Sequence, residues 1–257
     1  RKSGSDKERQ REIAQEFQNE NVDMVYTLTT PGTTIIKEEL SEETPIVFSI
    51  VTYPADSGLI ESFEYSGNNL VGTSNYISLR HYVTLLKSIL PEAKTIAIFH
   101  RDGEPNSKIQ ASNLVRLFKK KGLTPVVIPA SSVADLTKKA TYIVDQIDVF
   151  VTTTDTLMQG GGETALIELS LKHGIPILSS NKAGVEAGST FGPVADFFTL
   201  GQLSGDMAAD ILINGTDPSR LESKLQDPPI FLINRKSAEV LGLDLSKNKI
   251  ANSLLVN

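Results

Sequence analysis

The sequence has no cysteine, no long apolar run and no excess of positive charge. Without cysteine, the chain cannot form disulfides, thiolate zinc sites, iron–sulfur clusters or a cysteine nucleophile. Its longest mainly apolar runs are about seven residues, whereas a membrane span needs about 20, so we predict no transmembrane segment. The net charge of −6 gives no overall attraction to nucleic acid or anionic lipid. No nucleic-acid partner is therefore predicted.

Familiar catalytic and metal-binding motifs are also missing. The glycine run 160–162 is not followed by lysine, so it is not a phosphate-binding P-loop. No G-x-G-x-x-G follows the first predicted strand, and no G-x-S-x-G elbow is present. His81, His100 and His173 lack metal-ligand spacing. We therefore predict no catalytic residue, no metal and no cofactor, and a function in binding rather than in catalysis.

The sequence does contain a regular alternation of short β-branched runs and longer amphipathic stretches. The predicted strands cover 23–29, 45–52, 95–100, 125–129, 148–153, 176–180 and 229–234. The predicted helices cover 6–20, 33–41, 76–90, 106–121, 133–146, 160–173, 197–213 and 236–241. This alternation predicts an α/β fold with parallel strands. We expect two lobes, because a single sheet in a chain of this length rarely uses so many strands. Turn-forming breaks fall near 66–75, 188–193 and 215–218.

Ligands of such sheets bind beyond the carboxyl ends of the strands, so the residues that follow each strand are the candidate binding residues. Thr29, Thr30 and Thr33 follow the first strand, where hydroxyls and free N–H groups at a helix start suit a carboxylate. The alternative is an ordinary helix cap, with Pro31 in the first turn. Thr52 and Tyr53 follow the second strand, and Tyr53 offers an aromatic face unless it only packs in a turn.

The later strands are followed by polar residues of both acidic and neutral kinds. Their candidate binding residues are Glu104, Asn106, Ser107, Thr153, Asp155, Thr156 and Ser180. An aspartate among hydroxyls at a strand end could receive an ammonium group, and we prefer Asp155 to Glu104 for that role. The alternative is that Asp155 caps the following helix, that Asn106 or Ser107 is a plain cap, and that Glu104 is a solvated charge.

Several segments, in this order and spacing, carry a resemblance to a known family. They are 23–31, 44–48, Gly72-Thr73-Ser74-Asn75, Glu104-Pro105-Asn106-Ser107, 153–156, 174–177, 196–212 and 234–243. Together they resemble the substrate-binding proteins of ABC transporters, which have the type I periplasmic-binding fold. The most similar group includes tryptophan- and tyrosine-binding lipoproteins. Where that family often has Asp-Pro, this chain has Tyr53-Pro54.

The resemblance implies two Rossmann-like lobes with parallel sheets, joined by three crossings, with the ligand bound between them. Lobe 1 would hold 1–73 and 194–222, and lobe 2 would hold 74–193 and 223–257. It adds Asn75 to the candidate binding residues. Family members usually begin with one more strand and helix. Because this chain starts with Arg1 and has its first methionine at Met24, we expect that strand and helix to belong to the parent protein but to be absent here.

The resemblance also implies a function. We expect a non-enzymatic extracytoplasmic receptor that binds a small polar or amino-acid-like ligand and delivers it to an ABC transporter permease. The alternative is the ligand-sensing extracellular domain of a signalling receptor. The expected location is periplasmic or extracellular, with membrane attachment only through an anchor outside this chain.

Overall fold

The chain forms two compact units in a computed structural model that describes residues 1–4, 6–245 and 253–257. Unit 1 contains 1–76 and 196–227, and unit 2 contains 77–195 and 228–257. The boundaries predicted from the sequence fall after residues 73, 193 and 222. Residues 5 and 246–252, which those predicted ranges include, lie outside the described residues.

The strands and helices alternate along most of the chain. The strands are β1 Val25–Leu28, β2 Ile46–Ser49, β3 Leu70–Ser74, β4 Thr95–Arg101, β5 Thr124–Ala130, β6 Val149–Thr152, β7 Ile177–Leu178, β8 Phe191–Val194, β9 Lys224–Leu225, β10 Ile230–Asn234 and β11 Ser253–Val256. The helices are α1 Lys7–Glu20, α2 Thr30–Glu39, α3 Leu79–Ile89, α4 Pro105–Lys120, α5 Val133–Ile143, α6 Glu163–His173, α7 Lys182–Ala187, α8 Phe197–Asn214 and α9 Arg235–Val240.

Unit 1 is built on a parallel sheet with the strand order β1-β2-β3-β9. All four residues of β2 are buried, because alternate side chains enter cores on opposite faces of the sheet. Phe48 packs in the cluster that includes Ala14 of α1 and Ile36 of α2. Val47 packs in a second cluster with Met207 and Ile211 of α8. Helices therefore cover both faces, and the carboxyl ends of the strands share one edge.

Unit 2 is built on a sheet with the order β11-β10-β8-β7-β6-β4-β5. Its pairings are parallel except for that of β10 with β8, which is antiparallel. Phe99 of β4 and Phe150 of β6 form an edge-to-face aromatic pair, with ring centroids 5.2 Å apart, inside the core below α5 and α6. The carboxyl ends of β4, β6 and β7 again lie along one edge.

The predicted elements differ from the structure in a few informative places. The helix predicted to begin at residue 33 begins at Thr30, because Pro31 fits the first turn, where no N–H is required. The predicted breaks near 66–75 and 188–193 each join turn residues to a short extended piece, and these pieces belong to the buried strands β3 and β8. The short helix α7 was not predicted. Among the described residues, no helix combines the length and the hydropathy that a membrane span requires.

Candidate ligand-binding site

At the carboxyl edge of unit 1, the turn from β1 into α2 presents a buried hydroxyl at a helix start. Thr29 holds the N-cap position, but its side chain makes no capping hydrogen bond. Thr30 is 2% exposed, and its Oγ1 is buried with no hydrogen-bond partner among the described residues. The first N–H groups of a helix have no partner within the helix and carry partial positive charge. Thr30 therefore places a hydroxyl beside groups that favour an anion.

Thr33 is predicted as a donor to the ligand carboxylate, but its hydrogen bonds in the structure are made within the turn. Its backbone N–H donates to the Thr29 carbonyl at 3.1 Å, because the helix starts earlier than expected. Its hydroxyl donates to the same carbonyl at 2.8 Å and shares a hydrogen bond with Thr27. Thr33 is completely buried and stabilises the turn from within.

The ends of β2 and β3 in unit 1 bring together an aromatic pair and an amide. Tyr53 and Tyr76 form an edge-to-face pair with ring centroids 5.4 Å apart. The Ser74 hydroxyl donates to the Thr52 carbonyl at 3.0 Å, which ties the two strand ends together. Asn75 is 5% exposed, and its Oδ1 is buried without a partner in the described part of the chain.

At the carboxyl edge of unit 2, the Glu104 carboxylate lies against Thr156. Glu104 precedes α4 and is buried, and its Oε2 accepts from the Thr156 hydroxyl at 2.7 Å. The Thr156 N–H lies 3.3 Å from both carboxylate oxygens. Arg101 lies 3.9 Å from the carboxylate and also donates to the Thr156 hydroxyl. Burial raises the pKa of Glu104, while the hydrogen bond from Thr156 opposes that rise.

The Asp155 carboxylate is surrounded by donors from its own unit. Its Oδ2 accepts from the Arg101 N–H and from the Thr153 hydroxyl, both at 2.8 Å, and its Oδ1 accepts from the Met158 N–H at 2.8 Å. Burial raises the pKa of Asp155, and these backbone and hydroxyl donors oppose the rise. The contacts are those of a cap that also ties β4 to β6, which favours the alternative interpretation of this residue over pairing with a ligand.

Asn106, Ser107 and Ser180 have different environments. The Asn106 amide nitrogen donates to the Thr154 carbonyl at 2.6 Å, whereas its Oδ1 is buried without a partner among the described residues. The Ser107 hydroxyl bonds locally, to the Arg101 carbonyl at 3.1 Å and to the Glu104 carbonyl at 3.2 Å. The Ser180 hydroxyl donates to the Thr152 carbonyl at 2.6 Å. Of these three residues, only Asn106 has a buried side-chain atom without a hydrogen-bond partner in the described part of the chain.

Comparison with known proteins identifies the family. Residues 1–254 match the family profile described as ABC transporter substrate binding protein. The chain belongs to this family. The family assignment made from the sequence is thereby confirmed, and so is the function class of solute binding for an ABC transporter.

Individual relatives of this family member add detail. A tyrosine-binding protein from Clostridioides difficile is 28% identical over 231 residues, which are 90% of this chain and 66% of the relative, just under two thirds of its length. The crystal structure of an ABC domain in complex with L-Trp from Streptococcus pneumonia is 23% identical, with a TM-score of 0.91 over 98% of this chain and 84% of that one. The ligand-free, open structure of a substrate-binding protein with adhesive properties from Clostridium difficile is 25% identical, with a TM-score of 0.71 over the same shares. These likenesses confirm the predicted type I periplasmic-binding fold.

Sequence reasoning missed three polar residues that organise the edge of unit 2 in this family member. Gln110 accepts from the Thr154 N–H at 2.8 Å and donates to the Ser180 hydroxyl at 3.0 Å, so it joins the ends of β6 and β7 to α4. Asn181 follows β7, is 5% exposed and has a buried Oδ1 without a partner in the described part of the chain. Glu163 is fully surrounded by protein and binds Asn181. Asn181 could have been found, because it follows a strand, whereas Glu163 has no local signal.

The site chemistry differs between the two units. Unit 1 offers a hydroxyl and helix N–H groups, which can donate to an anion, together with the Asn75 Oδ1, which can accept a hydrogen bond. Unit 2 offers the oxygens of Asn106, Asn181 and Glu104, which accept hydrogen bonds and suit a cation or another donor. Within the described ranges, no group of three or more His, Asp or Glu side chains could hold a metal ion.

Proposed function

We propose that this chain binds a free amino acid with an aromatic side chain, as the solute receptor of an ABC transporter. The carboxyl edge of unit 1 supplies Thr30 and the start of α2 for a carboxylate. The carboxyl edge of unit 2 supplies the oxygens of Asn106, Asn181 and Glu104 for an ammonium group. A free amino acid carries both of these charged groups, whereas a neutral sugar carries neither.

The observation that carries this proposal is a set of buried polar atoms without partners. Buried polar side-chain atoms are almost always hydrogen-bonded, so each exception requires an explanation. Among the described residues, four of the exceptions follow the ends of strands, and they are Thr30, Asn75, Asn106 and Asn181. A bound ligand with donors and acceptors would satisfy these four atoms.

The aromatic preference rests on the Tyr53–Tyr76 pair and on the relatives. Tyr53 is buried against Tyr76, which is partly exposed, so Tyr76 is the ring that can offer an edge or face to a ligand ring. The curated relative is a tyrosine-binding protein, and a structural neighbour was solved with L-Trp. L-Tyrosine is therefore the first probe to use.

Family membership supports delivery to a permease and an extracytoplasmic location, and we include both in the proposal. The permease would receive the amino acid from this chain.

A thermal-shift screen tests the proposal directly. The protein is heated with each of the common amino acids and, as controls, with neutral monosaccharides. We expect an aromatic amino acid to raise the melting temperature most, by several degrees at a concentration 100 times its dissociation constant, which corresponds to about 2.7 kcal/mol. A larger shift with a sugar than with every amino acid would overturn the proposal.

A further inference from the structure

Glu163 is a buried carboxylate with a full set of donors and no ion-pair partner among the described residues. It is 4% exposed and begins α6, after the Met158–Gly162 turn of π-helix. Its Oε1 accepts from the hydroxyls of Ser179 and Ser189, the latter at 2.7 Å. Its Oε2 accepts from the amide nitrogen of Asn181 at 2.8 Å. Burying such a charge costs free energy, so this arrangement requires an explanation.

Gly184 leaves space for the Glu163 carboxylate. A Cβ atom on Gly184 would lie 2.2 Å from the Glu163 Cδ, so only glycine allows the carboxylate to sit against α7. The donors come from both ends of the segment 179–189, which runs from β7 through α7 towards β8. Glu163 therefore fixes the position of that whole segment, including the residue after Ser180.

The hydrogen bond to Glu163 also determines the orientation of the Asn181 side-chain amide. The Asn181 amide nitrogen donates to the Glu163 Oε2 at 2.8 Å, so the nitrogen faces Glu163 and the orientation of the amide is set. The Asn181 Oδ1 is then turned away from Glu163, and it is buried without a partner in the described residues. The Asn181 backbone N–H donates to the Ser179 hydroxyl at 2.9 Å, which holds the residue from its other side.

Asn106 repeats this arrangement by an independent route. The Asn106 amide nitrogen donates to the Thr154 carbonyl oxygen. The Asn106 Oδ1, like that of Asn181, is buried without a partner in the described part of the chain. Gln110, one turn later on α4, bonds to Ser180, the neighbour of Asn181. Two asparagines linked through Gln110 are thus held by acceptor-only groups, so that each presents an oxygen.

We propose that Glu163 is a positioning residue that fixes Asn181 as a hydrogen-bond acceptor for the ammonium group of the ligand. This inference rests on the proposed function, because it assigns the amine end of the proposed amino acid to Asn181. Glu163 itself does not contact the ligand. Its role is to prevent the Asn181 amide from turning over and presenting its nitrogen to a cation.

The test compares the affinity for L-tyrosine with that for hydroxyphenylpropionate, which lacks the amine. In Glu163→Gln the neutral side chain can donate or accept, so Asn181 is no longer held in one orientation. We expect affinity for L-tyrosine to fall about tenfold or more, while affinity for hydroxyphenylpropionate changes by less than about threefold. Adding Asn181→Asp to Glu163→Gln should restore the preference, since the introduced carboxylate would accept from the introduced amide and still present an oxygen. Glu168→Gln, an exposed change on the same helix, is the charge-matched control.

A second pair of variants keeps the inference testable if Glu163→Gln does not fold. Asn181→Ala and Ser189→Ala each remove one donor from the Glu163 carboxylate, so a purely structural role predicts the same effect for both. The proposal predicts that only Asn181→Ala loses the preference for the amine. The inference would be overturned if Asn181→Ala and Ser189→Ala preferred L-tyrosine over hydroxyphenylpropionate to the same extent. It would also be overturned if Glu163→Gln kept the wild-type preference for L-tyrosine. Either result would leave amino-acid binding intact. A wild-type protein that binds no amino acid would instead overturn the proposed function, and this inference with it.

Discussion

Thr29 and Ile50 lie one residue beyond the ends of the neighbouring strands β1 and β2, and both have positive φ angles, of 67° and 53°. The Thr29 N–H donates to the carbonyl of Ser49, the residue before Ile50, at 3.1 Å. Non-glycine residues rarely adopt such angles, and those that do are concentrated at binding sites, where surrounding contacts hold the strain. Here the two turns direct Thr30 and Thr52 along the carboxyl edge of unit 1.

Thr29→Gly tests this backbone strain. We expect the free energy of unfolding to stay constant or to rise by up to about 1 kcal/mol, because glycine tolerates this conformation. Thr34→Gly is the control, since it lies inside α2 and donates to the Thr30 carbonyl at 2.9 Å. The control should lose about 1 kcal/mol. Urea unfolding followed by circular dichroism measures both, and equal losses in the two variants would contradict the strain.

Thr30→Ala should weaken ligand binding, whereas Thr33→Ala should lower the stability of the fold. Thr30→Ala removes a buried hydroxyl that has no partner among the described residues, so stability should not fall. Its affinity for L-tyrosine should fall about fivefold, the scale of 1 kcal/mol for one hydrogen bond. Thr33→Ala removes the hydrogen bond to the Thr29 carbonyl and should instead cost about 1 kcal/mol of stability. Calorimetric titration and chemical unfolding of both variants would refute the assignment if Thr33→Ala alone weakened binding.

Asp155→Asn separates the two interpretations of that residue. As a cap, Asp155 accepts from the N–H groups of Arg101 and Met158, so an amide nitrogen placed there would face a donor. We expect a loss of about 1–3 kcal/mol in the free energy of unfolding, with little change in affinity for L-tyrosine. Unchanged stability with a tenfold loss of affinity would instead support direct pairing with the ligand amine.

Local patterns predict most of the strands of this fold and the positions of Thr30 and Asn106, because apolar runs and the polar residues that follow them are adjacent in sequence. The role of Thr33 could not be predicted, since a shift of three residues in the start of α2 turns a free donor into an internal one. Glu163 could not be predicted either. Its contacts with Asn181 and Ser189 span 18 and 26 residues, and they form only when α6 packs against the segment after β7.

The stability of this protein should depend on pH through Glu163. Burial raises the pKa of Glu163 above its ordinary value of 4.5, even though three side-chain donors oppose the rise. The folded state therefore takes up a proton at a higher pH than the unfolded state does. The stability of the wild type relative to Glu163→Gln should be greatest near and below pH 4.5 and should decrease as the pH rises through the raised pKa. Urea midpoints of both proteins between acid and neutral pH measure this difference, and a difference that grows towards neutral pH would show that the donors outweigh burial.

The most direct test of amino-acid binding is a calorimetric titration of the purified protein with three matched ligands. L-Tyrosine carries both charged groups, tyramine lacks the carboxylate and hydroxyphenylpropionate lacks the amine. We predict that L-tyrosine binds at least about tenfold more tightly than either analogue, a difference of about 1.4 kcal/mol or more for each missing group. Equal affinity for all three ligands, or no detectable heat with L-tyrosine, would contradict the assignment of carboxylate and ammonium recognition to these strand ends.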